Sequence, residues 1–248
     1  MLITCPSGLS FEARKWKLGD RKVLLDKTNS TPIQRRALEL VSGHVVSAGP
    51  YKFGKGEKVN WVEVASPDFM TALVQIRAMT KQIYEYDVWC NRCNQRIELS
   101  QDLAQIPVKP MSQTCIDHIA TNAPIILKVG NAEVHWRVIR GSDLPRMENI
   151  DNQAEMAEVA SCLHIAKIVT SEREYTDMLG IRSFYADADW EFQRVLTDAS
   201  DLHEGGVTLE IDVRCKTDFC GAVQTQLIQL GIAFFDPSME PRRSSASR

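Results

Sequence analysis

Four of the seven cysteines fall in two close pairs, Cys90-Asn91-Arg92-Cys93 and Cys215-Lys-Thr-Asp-Phe-Cys220. Thiolates are soft, charged donors, and zinc favours four of them in a tetrahedron supplied as two short-spaced pairs from two turns. Each pair sits in the same setting: an alternating strand, the cysteines at its end, then a second short strand. Gly221 follows Cys220 directly, where a knuckle turn tolerates positive φ. Cys90, Cys93, Cys215 and Cys220 are therefore the candidate metal ligands, with zinc as the metal. If all four bind, no coordination position stays open for water, and the metal is structural. Two plainer readings stay open. Cys-x2-Cys is also a redox spacing, although redox pairs open a helix within a βαβ pattern, and Cys215 and Cys220 could be buried small hydrophobes. The pairs lie far apart in sequence, so spacing alone does not join them.

The remaining candidates are weaker. Cys5 lies in an apolar stretch and reads as core. Cys162 and His164 are two apart and cannot share a helix face. Cys115-x2-His118 has ligand spacing but no framing strands. Asp187, Asp189 and Glu191 precede an aromatic segment, as carboxylates do at a helix N-terminus. The sequence carries no nucleophile elbow, phosphate loop, His-Glu-x2-His or dinucleotide fingerprint, and Gly205-Gly206 reads as a turn. No catalytic residue and no small-molecule cofactor site is expected.

The elements that would position the cysteines are legible. Ile83–Trp89 alternates Tyr84, Tyr86 and Val88 with Glu85 and Asp87, and Ile97–Leu99 follows the first pair. Val207, Leu209, Ile211 and Val213 alternate with polar residues ahead of the second pair, and 223–230 returns. Ser66-Pro67-Asp68 starts a helix with Phe69, Met70, Leu73, Val74 and Ile76 at helical spacing. Thr31 as N-cap and Pro32 as first helical residue open another, which Gly43 ends. Gly130-Asn131 joins two strands, Ile125–Val129 and 134–139, as a hairpin. Residues 151–170 and 188–199 read as helices. The expectation is an α+β fold of short antiparallel strands and helices around a zinc-ribbon-like knuckle pair. It forms a single domain over 1–237, with a helical insertion about 140–205 and a disordered tail at 238–248.

Composition narrows the function. A 44% apolar share and 25% charge suit a globular core. A formal net charge of -3 gives no basic footprint for nucleic acid. Lys15, Lys17, Arg21 and Lys22 alternate with Asp20 and apolar residues, as on a solvated face. The N-terminus lacks a secretory pattern, and no apolar run approaches the ~20 residues of a membrane span. A reducing cytoplasm is the expected setting, where cysteines serve as thiols or metal ligands rather than as disulfides.

The order of several short motifs resembles a known family, the T-even-type baseplate hub assembly chaperones and hub subunits of contractile phage tails. The motifs are PSGLSFEARKWKLGD near the start, then GPYKF and VNWVEV. The helix DFMTALVQIRAMT is similar to the family's Asp-x4-Leu-x2-Ile-Arg-x2-Thr signature and runs on to Tyr84 and the first cysteine pair. IELSQDLAQIPVKPM follows, and EIDVRCKTDFCGAVQTQLIQLGIAFFDPS comes near the end. The likeness spans nearly the whole chain, with 140–200 matching only in helical character. The four-residue interval in Cys215–Cys220 departs from the family's more usual two. The resemblance implies two paired cysteine knuckles and a non-catalytic protein that binds hub or wedge subunits. Its place would be the host cytoplasm during assembly, or the virion if it is retained. The alternative is a zinc-ribbon nucleic-acid-binding or regulatory protein.

Overall fold

A computed structural model describes all residues except Lys27, Glu148, Asn149, Asp151, Gln229 and 242–248. In chain order the elements are β1 (Leu2–Thr4), β2 (Ser10–Ala13), α1 (Arg21–Leu24), α2 (Ile33–Val41), β3 (Ser42–Ser47), α3 (Ser66–Thr80), β4 (Ile83–Trp89) and β5 (Arg96–Asp102). There follow β6 (Val108–Lys109), α4 (Gln113–Thr121), β7 (Ile125–Val129), β8 (Ala132–Trp136), α5 (Gln153–Leu163), β9 (Ile165–Val169) and β10 (Glu174–Tyr175). The last are α6 (Met178–Asp187), α7 (Trp190–His203), β11 (Gly206–Val207), β12 (Glu210–Arg214), β13 (Val223–Leu227) and α8 (Ile232–Phe235). The fold class is α+β, and the ladders of β1–β3, β4–β5, β7–β10 and β12–β13 are antiparallel. Among the described residues no helix is long and apolar enough to cross a membrane.

Where the sequence predicts a single domain over 1–237, contacts divide the chain into two compact units. The first is 1–13, 42–72 and 108–206; the second is 14–41, 73–107 and 207–248. Each is sewn from three segments, an arrangement that no local pattern announces.

In the first unit, β1, β2 and β3 form one sheet. Period-2 alternation turns Ile3, Phe11 and Val45 inward, each 1% exposed or less. Phe11 meets Trp61 edge-on at 5.2 Å, and Trp61 meets Phe69 at 5.8 Å. A second sheet runs β10-β9-β8-β7. Its β7–β8 turn is Gly130-Asn131, with Gly130 at φ 56, a value that favours glycine in a two-residue hairpin loop. Asn152 and Asp189 cap α5 and α7 through their side chains. A carboxylate also anchors this unit: Asp68, 0% exposed, accepts from the Ser7 N–H at 3.0 Å, the Ser7 hydroxyl and the Tyr51 hydroxyl at 2.6 Å.

In the second unit, β4 and β5 pair in full register from Ile83↔Asp102 to Trp89↔Arg96, and β12 pairs with β13 from Glu210↔Leu227 to Arg214↔Val223. Here too a buried charge is the anchor. Arg77, 0% exposed, donates from Nε to the Phe234 carbonyl at 2.6 Å and pairs with the buried Glu240 carboxylate. Lys81 joins the same carboxylate. Trp16 packs edge-on against Phe235, its Nε1 donates to the Ala37 carbonyl, and its backbone N–H donates to Thr80 Oγ1.

Several expectations change. Residues 165–169 form a strand, not the second half of a helix that begins near 151. The helix stops at His164, and the β-branched residues Ile165, Ile168 and Val169 pair into the β8–β9 ladder. The helical insertion expected about 140–205 holds helix α6 (178–187), which no local pattern picked out, and strands as well as helices. Helix α2 begins at Ile33 and ends at Val41, so Pro32 precedes it and Gly43 lies inside β3. Of the tail expected at 238–248, Pro237–Met239 is a 3-10 turn and Glu240 is 7% exposed; 242–248 lies outside the described residues.

Candidate metal centre

The second unit brings the four predicted cysteines together. Hairpin β4–β5 carries Cys90 and Cys93 in its turn, and β12–β13 carries Cys215 and Cys220. The inner faces of the two hairpins, Val88, Ile97 and Leu99 against Ile211 and Val213, pack into one small core with the sulfurs at its end. The first turn is closed by the Asn94 N–H donating to the Cys90 carbonyl at 2.8 Å and the Cys90 N–H donating to Gln95 at 2.8 Å. Asn94 at φ 54 and Gly221 at φ 56 hold the position after each pair in the left-handed region, which Asn and Gly adopt most readily.

The four sulfurs all lie within 4.8 Å of one another. Cys90 Sγ is 3.7 Å from Cys220 Sγ, and Cys93 Sγ is 3.6 Å from Cys215 Sγ. A disulfide needs about 2.05 Å, and all seven cysteines are free. A tetrahedron with metal–sulfur bonds of about 2.3 Å has edges of about 3.8 Å, so the cluster is sized for one ion. The four cysteines could hold a metal ion, and the cross-hairpin distances join the two pairs that spacing alone left separate.

The electrostatics fit a cation. Backbone N–H groups of Cys93 and Arg92 draw the Cys90 thiol down to about 6. The Thr217 hydroxyl, 3.3 Å away, and the Thr217 N–H lower Cys215. At Cys220 the Ala222 N–H acts in the same sense, but burial and the neighbouring sulfurs outweigh it and raise the thiol to about 11. Four close thiols cannot all ionise alone, and a divalent cation removes that repulsion.

One residue that sequence reading missed completes the joint. Gln224, 6% exposed, donates from Nε2 to the Trp89 carbonyl at 2.9 Å and accepts from the Asn91 N–H at 2.8 Å. It thereby satisfies the backbone of the first knuckle from the second hairpin. The only signal for it was a polar residue at an inward strand position, opposite Val213.

The other candidates do not gather. His118 Nδ1 faces the Ala123 carbonyl at 2.7 Å, and Nε2 accepts from the Val138 N–H at 3.3 Å. Both ring nitrogens are engaged, so Cys115-x2-His118 offers no imidazole ligand. Burial raises Cys115 to about 12 and Cys162 to about 11, so both are inert packing thiols. Cys5 is 4% exposed, with its Sγ 3.6 Å from the Asp68 carbonyl. Asp189 caps α7, as its placement predicted.

No family model, curated protein or solved structure matches the chain.

Proposed function

We propose that this chain is a non-catalytic assembly protein or structural subunit of a contractile phage tail, stapled by one zinc ion and binding other hub or wedge subunits. The observation that carries the zinc is the closed four-sulfur cluster. Such a set suits zinc or iron, and four thiolates leave no coordination position for a reacting water. Cys90, Cys93, Cys215 and Cys220 would hold the ion. Its chemistry there is to cross-link two hairpins, so that binding energy becomes folding energy.

Support for the assembly reading comes from the motifs behind the resemblance, which coincide with buried anchors. Ser7 of PSG and Tyr51 of GPY bond to Asp68, the first residue of DFMTALVQIRAMT. Arg77 and Thr80 of that helix bond to Phe234 and Trp16, within the closing and opening motifs. Scattered motifs therefore act as one fold signature. A zinc-ribbon nucleic-acid-binding protein is the weaker reading, given a formal net charge of -3.

Elemental analysis of protein purified without added metal should give one zinc per chain; iron, or folded metal-free protein, ends the zinc assignment. A tagged chain co-expressed with hub and wedge subunits of a contractile tail should retain one of them. Retention of nucleic acid instead, with no tail protein bound, would favour the regulator.

A further inference from the structure

Phe219 is fully exposed and sits at φ 65. It is the third residue of the turn closed by the Cys220 N–H donating to the Thr217 carbonyl at 3.0 Å. A turn with positive φ at that position selects Gly or Asn, and a bulky residue there is a true outlier. The side chain thus carries two penalties, strained backbone and apolar surface left in water, with no packing gain in the folded chain. Strain of this kind gathers at sites of contact and switching. Exposed cations are near it: Arg92, whose Nη1 reaches the carbonyl of the next residue, Cys220, at 3.4 Å, and Lys216, exposed and three positions earlier in the chain. Asp218 is the one opposing charge within the turn.

The first unit offers the counterpart. A cavity of about 330 Å³ is lined by Val129, Phe184, Ala188 and Phe192, with Asp189 and Glu191 among its walls. Glu191 is exposed and, among the described residues, lies 3.4 Å from Arg194; Asp189 keeps one oxygen on the Phe192 N–H. One copy thus carries an aromatic knob among cations and an aromatic-lined hollow among carboxylates.

We infer that Phe219 of one copy docks into the Phe184–Phe192 cavity of a second copy, with Arg92 and Lys216 facing Asp189 and Glu191. The contact is heterologous, joining different surfaces of the two copies, so repetition gives a ring or an open chain according to the rotation between copies. It stands apart from the tail reading and requires only folded knuckles.

Sedimentation of the full-length, metal-loaded chain should show mass rising with concentration above the 27.9 kDa monomer. Phe219→Gly should keep its metal and melt no lower, because the turn is relieved, while association weakens by about tenfold or more, as for an aromatic hot spot. Glu191→Lys should weaken association as well. Mixed one to one, the two variants should restore a dimer and nothing larger, since only one knob and one cavity remain intact. A wild type that stays monomeric, a Phe219→Gly chain that associates like wild type, or a mixture that stays monomeric would each overturn the contact. Metal content measured on the same samples separates loss of the knuckle from loss of the contact.

Discussion

The two units solve the same problem by different means. The first has a three-stranded and a four-stranded sheet, helices packed on the latter, and an aromatic cluster of Phe11, Trp61 and Phe69. The second has two hairpins of two strands each, and an isolated hairpin is marginal in water. Its extra cohesion comes from cross-links: the four sulfurs at one end, and Arg77 with Glu240 at the other. The lesson is that an ion held by the four sulfurs would reinforce two hairpins whose shared apolar core is small, and that damage should be confined accordingly.

The largest break is loss of the ion proposed to sit among the four sulfurs. Cys90→Ala or Cys215→Ala, or a strong chelator, should unfold the hairpins, since a structural zinc site contributes on the order of 10 kcal/mol. Limited proteolysis should then cut within 83–102 and 207–228 while 112–203 survives. Equal loss of both units would erase the contrast. Next is the buried ion pair. Arg77→Ala leaves the buried Glu240 carboxylate with the half-exposed Lys81 as its remaining cation and should cost about 1–3 kcal/mol, read from the shift in denaturant midpoint at constant metal content. In the first unit, Tyr51→Phe removes one of Asp68's donors and should cost about 1–2 kcal/mol, with the metal untouched.

The smallest effect is a pH dependence seated in the first unit. Burial lowers His164 to about 4 and raises Glu204 to about 8, and the two side chains lie 3.6 Å apart. Glu204's folded value exceeds its unfolded one, so its contribution is complete at low pH and is lost as pH rises through about 8. His164's folded value is depressed, so stability is lost as pH falls from about 6.5 towards 4. From this pair the profile is nearly level between about 4.5 and 6.5 and then declines to about 8, with a slope below ~1.4 kcal/mol per pH unit. Glu204→Gln should remove that decline in melting curves taken across the range; an unchanged slope would assign it elsewhere.

Both knuckle hairpins were readable because alternation and cysteine spacing are local signals. Strand Ile83–Trp89 has the predicted limits, and Glu210–Arg214 lies within the alternating run ahead of Cys215. Joining the pairs took tertiary structure, since spacing alone is silent across that interval. The stretch 165–169 was misread because apolar residues at mixed spacing suit a buried strand as well as a helix, and pairing with β8 decides it. Glu240 looked like tail because its partner, Arg77, is 163 positions away. Gln224 and the backbone of Phe219 were invisible for the same reason: what defines each is where the chain folds back, not which residues adjoin it.

The separation of the cysteine pairs has a consequence for synthesis. Cys93 and Cys215 are 122 positions apart, and ribosomes add about 5–20 residues per second. The first knuckle therefore emerges with half its ligand set and waits on the order of 10 s for the other half. During that interval two thiols meet the metals and oxidants of the cell without their partners. How quickly the second pair follows, and how much metal is at hand when it does, would then decide what fraction of newly made chains closes correctly.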